Sequence, residues 1–347
     1  MILDASVFPR QSGRSGGDDI PAPGARRTPV PGLRDTPAVT SDLVLGFGLP
    51  VSGSWATPGN VAAVARRAEE LGYGSLWTFQ RIVVPVDVDL GPQYRSVLDP
   101  IVALGFAAAV TSRVRLGTAV VNAPFVAPAI LAKQMGTLDV LSDGRVDVGL
   151  GLGWSEHEFA AVGATREQRG ARLADYVRCV RALWADDPAQ YVGEFYATPP
   201  LRMLPRPVQR PGPPILLGGS ADAALRRAGH LADGWISASR FDLRAISHAI
   251  DVISGAAEAA GRDPAAVRIV VRGVARLGDD VTGDDGARQV LTGSAEQIRD
   301  DLGRLHEAGV DEVFLDLNFS PRVGDPDADP VGAEAYAHEV LETFAPR

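Results

Sequence analysis

The stretch Leu43-Val-Leu-Gly-Phe-Gly-Leu-Pro50, followed by a segment from Thr57-Pro58 to Leu71-Gly72, decides how the fold is read. The first part is a short apolar run stopped by a proline, the length and composition of a buried strand. The second has a threonine placed to cap a helix, a proline at the first helical position and a glycine where the helix would stop. Strand-like runs recur near 73–79, 114–121, 145–152, 213–217, 233–237, 267–277 and 312–317. Helical stretches follow near 99–111, 127–141, 166–185, 220–231, 242–260, 294–308 and 331–343, with Gly261 and Gly309 repeating the stop signal of Gly72. Parallel strands need such crossovers. Eight βα units close into a (β/α)8 TIM barrel with insertion segments more readily than they extend an open doubly wound sheet, which stays the alternative.

Working outward, residues 1–41 are dense in Pro, Gly, Ser, Asp and Arg and carry no sustained apolar period, so they read as a disordered N-terminal tail. Residues 42–347 read as a single barrel domain. Long irregular stretches follow the second strand (Gln80 to Leu98), the fourth (Gly153 to Thr165) and the seventh (Gly278 to Gly293), all on the C-terminal face where barrel active sites are built. Before the fifth strand, Tyr191-Val-Gly-Glu-Phe-Tyr196 suggests a small hairpin.

With 46% hydrophobic and 22% charged residues, the 347-residue chain can build a large core and is neither disordered throughout nor fibrous. The formal net charge of −9 has the wrong sign for wrapping nucleic acid or an anionic membrane. The apolar run Ile101 to Val110 is about half of the roughly 20 residues that span a bilayer. No secretion signal is apparent, and Cys179 is the only cysteine, so a cytoplasmic setting is expected and an intrachain disulfide, a Cys-x-x-Cys zinc ribbon and a thiolate-ligated cluster are excluded.

Three motifs bear on chemistry. Pro214-Ile-Leu-Leu-Gly-Gly-Ser220 is a strand running into glycines and then a helix; its free N–H groups and the Ser220 hydroxyl suit a phosphate, or form a plain turn capped by Ser220. In Arg145-Val-Asp-Val-Gly-Leu-Gly-Leu-Gly-Trp154, Gly149, Gly151 and Gly153 clear one face for a flat ring or for another backbone. The run fails the Gly-x-Gly-x-x-Gly fingerprint, and no Gly-x-x-x-x-Gly-Lys loop exists. Glu156-His157-Glu158 could supply an acid or base on a top-face loop, or be a solvated cluster. The five histidines have no ligand spacing, so no metal is expected.

Taken together, Leu71-Gly-Tyr-Gly-Ser-Leu-Trp77, Val114-Arg-Leu-Gly-Thr-Ala-Val120, Ala132-Lys-Gln-Met-Gly-Thr-Leu-Asp-Val-Leu-Ser-Asp-Gly-Arg145, Val148 to Trp154, Leu217-Gly-Gly-Ser220 and Ala232-Asp-Gly-Trp235 resemble the luciferase-like monooxygenase superfamily, most closely its coenzyme F420-dependent oxidoreductases. The resemblance covers about residues 43–318 and implies the bacterial-luciferase-like barrel. It implies that Ala119, Val120 and Asn122 lie against a deazaflavin or flavin ring, at a strand end that often carries a non-prolyl cis peptide. It places Gly151, Gly153 and Trp154 beside the ring and ribityl chain, Gly218, Gly219 and Ser220 at the phosphate, and Phe47 and Gly48 on the substrate side.

One departure stands out. Where many relatives carry an acidic residue and a histidine ahead of a proline, this chain has Gln80 and Arg81 ahead of Pro85. Arg81 cannot cycle as a base near neutral pH, but it can hold an anionic or carbonyl substrate, or pair with an acid of its loop such as Asp87 or Asp89. The expectation is an F420-dependent enzyme passing a hydride between the deazaflavin and a small organic substrate, reduction favoured, with Gln80, Arg81, Glu156 and His157 as candidate catalytic residues. An FMNH2/O2 monooxygenase using FMN and a cofactor-free binding protein or lyase are the alternatives. The apolar helices near 99–141 offer a face for a homodimer.

Overall fold

A computed structural model describes residues 43–283 and 285–346; the expected tail, residues 1–41, lies outside them. Eight parallel strands form the barrel: β1 (Val44–Gly48), β2 (Ser75–Thr78), β3 (Arg115–Thr118), β4 (Val146–Gly151), β5 (Ile215–Gly218), β6 (Gly234–Ile236), β7 (Arg268–Gly273) and β8 (Glu312–Leu315). Each pairs with the next, β1 pairs with β8 through Val44 and Glu312, and β3 meets β4 through Leu116 and Val146, which closes the ring. The strand runs are almost wholly apolar because helices cover their outer faces.

Those helices are α1 (Pro58–Leu71), α2 (Pro100–Ala108), α3 (Pro128–Leu141), α4 (Arg169–Ala185), α5 (Asp222–Leu231), α6 (Ile246–Ala259), α7 (Ala295–Glu307) and α8 (Pro330–Thr343). The expected punctuation is present in α1: the Thr57 hydroxyl accepts the Asn60 N–H at 3.2 Å, and Gly72 leaves the helix at φ 89°. The expected hairpin pairs Ala189–Val192 with Ala197–Leu201. The seventh strand is shorter than the 267–277 run, because after Gly273 the chain leaves the barrel and Arg276–Leu277 pairs instead with Thr292–Gly293 at the far end of the insertion.

The barrel interior is layered. At the N-terminal end the buried Glu312 carboxylate accepts from the Ser75 hydroxyl and from Trp77 Nε1 at 2.8 Å, while Asp147 holds Arg115 at 2.7 Å and Arg268 at 3.0 Å. Above them Trp77 stacks on Phe314 with centroids 5.2 Å apart, packed by Leu216, Ile236 and Val270. Arg272 and Asp316 lie at the C-terminal end. Buried charges and polar groups need partners: Asp147 and Asp316 have arginines, and Glu312 has the Ser75 and Trp77 donors.

Candidate active site

At the C-terminal mouth a chain of hydrogen bonds joins three strand ends. Gln80 Oε1 accepts from the Asn122 backbone N–H at 2.9 Å and from its Nδ2 at 3.2 Å; Asn122 Oδ1 accepts the Gly153 N–H at 2.9 Å; and the Gly153 carbonyl accepts from Arg169 at 2.8 Å. Gln80 is therefore a brace for the ends of β3 and β4, with its acceptor oxygen already engaged. The Ala119–Val120 peptide bond, just past β3, is cis. The Ala119 carbonyl accepts from Arg272 Nη1 at 3.1 Å, so β7 reaches across the barrel to this peptide.

Sequence reasoning passed over Arg272 and its neighbours. Arg272 Nε donates to Asp316 Oδ2 at 2.6 Å, and its guanidinium lies 4.2 Å from the Phe319 ring centroid and 4.9 Å from that of Phe79. Asp316 Oδ1 accepts the Asn318 N–H at 3.0 Å, and Asn318 in turn receives the N–H groups of Val51 and Ser52 at 3.1 Å each. One buried charge pair thus fixes the loops after β1 and β8 as well as the end of β3. The signal was available: Arg272 and Asp316 are lone charges closing the apolar runs Ile269–Val271 and Val313–Leu315, the mark of an inward position near a strand's end.

Arg81 sits at the mouth as expected, but in a different pairing. Its Nη1 meets Glu158 Oε2 at 2.6 Å, with side-chain exposures of 4% and 1%, and Glu158 Oε1 also takes the Ile82 N–H at 2.7 Å. Its guanidinium lies 4.6 Å from the Tyr94 ring centroid and 4.5 Å from that of Trp154, in the corner these two edge-to-face rings make. Neither Asp87 nor Asp89 is the partner; Asp89 accepts the Gly91 N–H instead. Burial pushes the Glu158 carboxyl above its usual range, against the pull of the Ile82 and Val83 N–H groups and of Arg81.

The Glu156-His157-Glu158 cluster is divided by its short helix, Glu156–Ala161. Glu158 and Phe159 turn inward, whereas Glu156 pairs with Arg166 in solvent and His157 is exposed. Glu156 and His157 are thus not brought to the mouth, which corrects the expectation that placed them there. Phe47 is also displaced from the substrate side: adjacent strand residues face opposite ways, so it is fully buried under the helices, 5.6 Å from the Tyr73 ring. Gly48 faces inward, where a side chain would lie 2.7 Å from Asp316 Oδ1.

On β4 the cleared face is filled by the protein itself. A Cβ at Gly151 would come within 2.5 Å of Val120 Cγ2 and 2.9 Å of Asn122 Oδ1. The glycines admit the end of β3, and the surface offered upward is that of Val120, Asn122 and Gly153. Trp154 rises from the rim, 52% exposed.

The turn Gly218-Gly219-Ser220 leads out of β5. Gly219 has φ +128°, and a Cβ there would approach Ala224 Cβ to 2.6 Å. Its carbonyl accepts from Trp235 Nε1 at 2.8 Å, which pins the turn to β6. Ser220 is exposed and does not cap the helix; the N-cap is Ala221, which has no capping side chain. The Ala224 N–H is accepted by the Ala221 carbonyl at 2.7 Å, while no capping side chain takes the N–H groups of Asp222 and Ala223, an arrangement that suits an anion. Among the described residues no group of three or more His, Cys, Asp or Glu is placed to hold a metal, and no helix is long and apolar enough to cross a membrane.

A closed barrel with this mouth, this turn and these insertions matches the luciferase-like monooxygenase family over residues 44–282. The chain belongs to that family. A relative from Mycobacterium tuberculosis, described as uncharacterized, is 33% identical over 296 residues, covering 82% of this chain and 93% of its own. The F420-dependent glucose-6-phosphate dehydrogenase of Kineococcus radiotolerans is 33% identical over 199 residues, 56% of this chain and 57% of its own. The FMNH2-dependent dimethylsulfone monooxygenase of Pseudomonas putida is 31% identical over 186 residues, 53% and 49%. The fold is shared with a solved monooxygenase from Streptomyces bottropensis at TM-score 0.70 and 23% identity, over 88% of this chain and 99% of that one. The luciferase-like family thus holds both F420-dependent and FMNH2-dependent relatives of this chain.

Proposed function

We propose that this chain is a coenzyme F420-dependent oxidoreductase acting on a small organic substrate. The deazaflavin, when bound, supplies the hydride chemistry. Gly218, Gly219, Ser220 and the first N–H groups of α5 would hold its phosphate, a cradle that a Cβ at Gly219 would obstruct. Val120, Asn122, Gly153 and Trp154 would border its ring. Arg272 keeps the Ala119 carbonyl in place, and the Arg81–Glu158 pair holds the insertion after β2 against the rim. Both cations are engaged by buried carboxylates, so their part is to position the rim and the strand ends rather than to abstract a proton.

The observation that carries F420 over FMNH2 is the open side of the mouth. A polar-lined cleft of about 600 Å³ opens there between the loops after β6, β7 and β8. Hydride transfer tolerates such an opening, whereas an oxygen-activating flavin needs water kept out. The 31% identity with an FMNH2-dependent relative keeps the monooxygenase as the second reading. Titrating the purified protein with F420 and with FMN, followed by cofactor fluorescence, tests the choice. Micromolar binding of F420 is expected. Binding of FMN alone would turn the assignment to the monooxygenase, and binding of neither to a cofactor-free protein.

A further inference from the structure

The cleft beside the mouth is rich in arginine. Four arginines line it: Arg240 in the loop after β6, Arg244 leading into α6, Arg276 after β7 and Arg288 in the following insertion. Two are neutralised, Arg244 by Asp242 at 2.9 Å and by Asp285, and Arg288 by both oxygens of Asp301 at 2.8 Å. The two acids lining the cleft are spent as well, Asp242 on Arg244 and Asp325 on Arg95 at 2.7 Å. Arg240 and Arg276 remain, and no carboxylate among the described residues lies within ion-pair distance of either. Two cations without a carboxylate partner among the described residues thus share the wall of a cleft in a protein whose net charge is −9. A concave, low-dielectric wall focuses such a field onto small anions.

The cleft also has an apolar floor that leads to the mouth. Phe319 lines it, and the same ring lies 4.2 Å from the Arg272 guanidinium and 5.1 Å from the Phe79 ring. A molecule resting on Phe319 would have its far end toward Arg240 and Arg276 and its near end above the Arg272–Asp316 pair. We infer that this cleft is the substrate subsite, and that the substrate is an organic acid: an apolar body over Phe319 with a carboxylate or phosphate head received by Arg240 and Arg276. This assignment rests on the oxidoreductase reading for its chemistry, but not for its binding.

Ligand-observed NMR titrations with benzoate, phenyl phosphate and the neutral benzamide test it, on the full-length protein and on Arg240→Met, Arg276→Met, the double variant and Arg276→Lys. F420 affinity is measured separately on each. In the parent the anionic probes should bind about tenfold or more tightly than benzamide, the gain expected from a charge-assisted hydrogen bond. Each methionine variant should lose several-fold of that preference, the double variant all of it, and Arg276→Lys should keep most, with F420 affinity unchanged throughout. The stronger of the two anions identifies the head group. Equal binding of benzoate, phenyl phosphate and benzamide in the parent overturns the inference, as does an anion preference that survives in the double variant. Failure of F420 to bind the parent would overturn the cofactor reading alone.

Discussion

Arg81 shows how much a single residue's meaning depends on its partner. Taken as an isolated cation it looks like a substrate clamp, yet in the fold it is closed off by Glu158 and two aromatic rings. Removing one member of a buried pair leaves the other charge uncompensated. Arg81→Met should therefore destabilise the protein by about 3–5 kcal/mol in urea unfolding, while Arg81→Met combined with Glu158→Leu should recover much of the loss. A large fall in turnover with unchanged stability would instead put Arg81 in the chemistry. The position of Arg81 was legible because it follows the Leu71 to Trp77 motif at the end of β2. Its partner was not, because spacing within Glu156-His157-Glu158 does not say which of the three a one-and-a-half-turn helix will turn inward. Arg272 and Asp316 were legible in principle, as charges interrupting apolar strands.

At the scale of elements, the turn between β5 and α5 makes the clearest demand on sequence. Gly219 holds a positive φ and has no room for a Cβ, so Gly219→Val should strain the turn and crowd the place where a phosphate would sit. Cofactor affinity should drop at least about tenfold, one charge-assisted hydrogen bond's worth, while cooperative melting is retained. Affinity equal to the parent's would make the turn merely structural. All eight strands and all eight outer helices were readable from apolar runs and from caps such as Thr57 and Gly72, because barrel strands are buried on both faces and read as unbroken apolar stretches. The insertions were not readable in that way. Residues 242–245 begin as a tight turn before α6, capped by the Asp242 carboxylate on the Arg244 N–H, and Gln168 bends at φ 49° before α4, features that apolar periodicity does not mark.

For the whole molecule, pH acts through acids that tie loops to the barrel. Asp301 gathers Arg288, Arg304 and the Leu291 N–H, and Asp175 gathers Tyr191 and the N–H groups of Phe195 and Tyr196. Burial alone would raise both carboxyls, but these hydrogen bonds hold them below the usual 3.8. A lowered folded pKa stabilises above the ordinary value and is lost as pH falls through the folded one. Glu158 and Glu312, raised by burial, run the other way, their share declining as pH rises above the usual 4.5. Below that value the raised groups are protonated in both states and add no slope, so acid unfolding belongs to the lowered carboxyls, Asp301 and Asp175 together with Glu69 among them. Asp301→Asn should cost about 1–3 kcal/mol at pH 7 and give a flatter decline between pH 5 and 3, read from urea midpoints; an unchanged slope would place the acid sensitivity elsewhere. The placement of Trp154 gives the mouth an optical handle. Of the five tryptophans, Trp55, Trp77, Trp184 and Trp235 are at most 1% exposed, whereas Trp154 stands half in water on the rim. A collisional quencher such as acrylamide therefore darkens essentially one indole, and any molecule that settles over the barrel opening shields that emission, reporting occupancy without a label or a turnover assay.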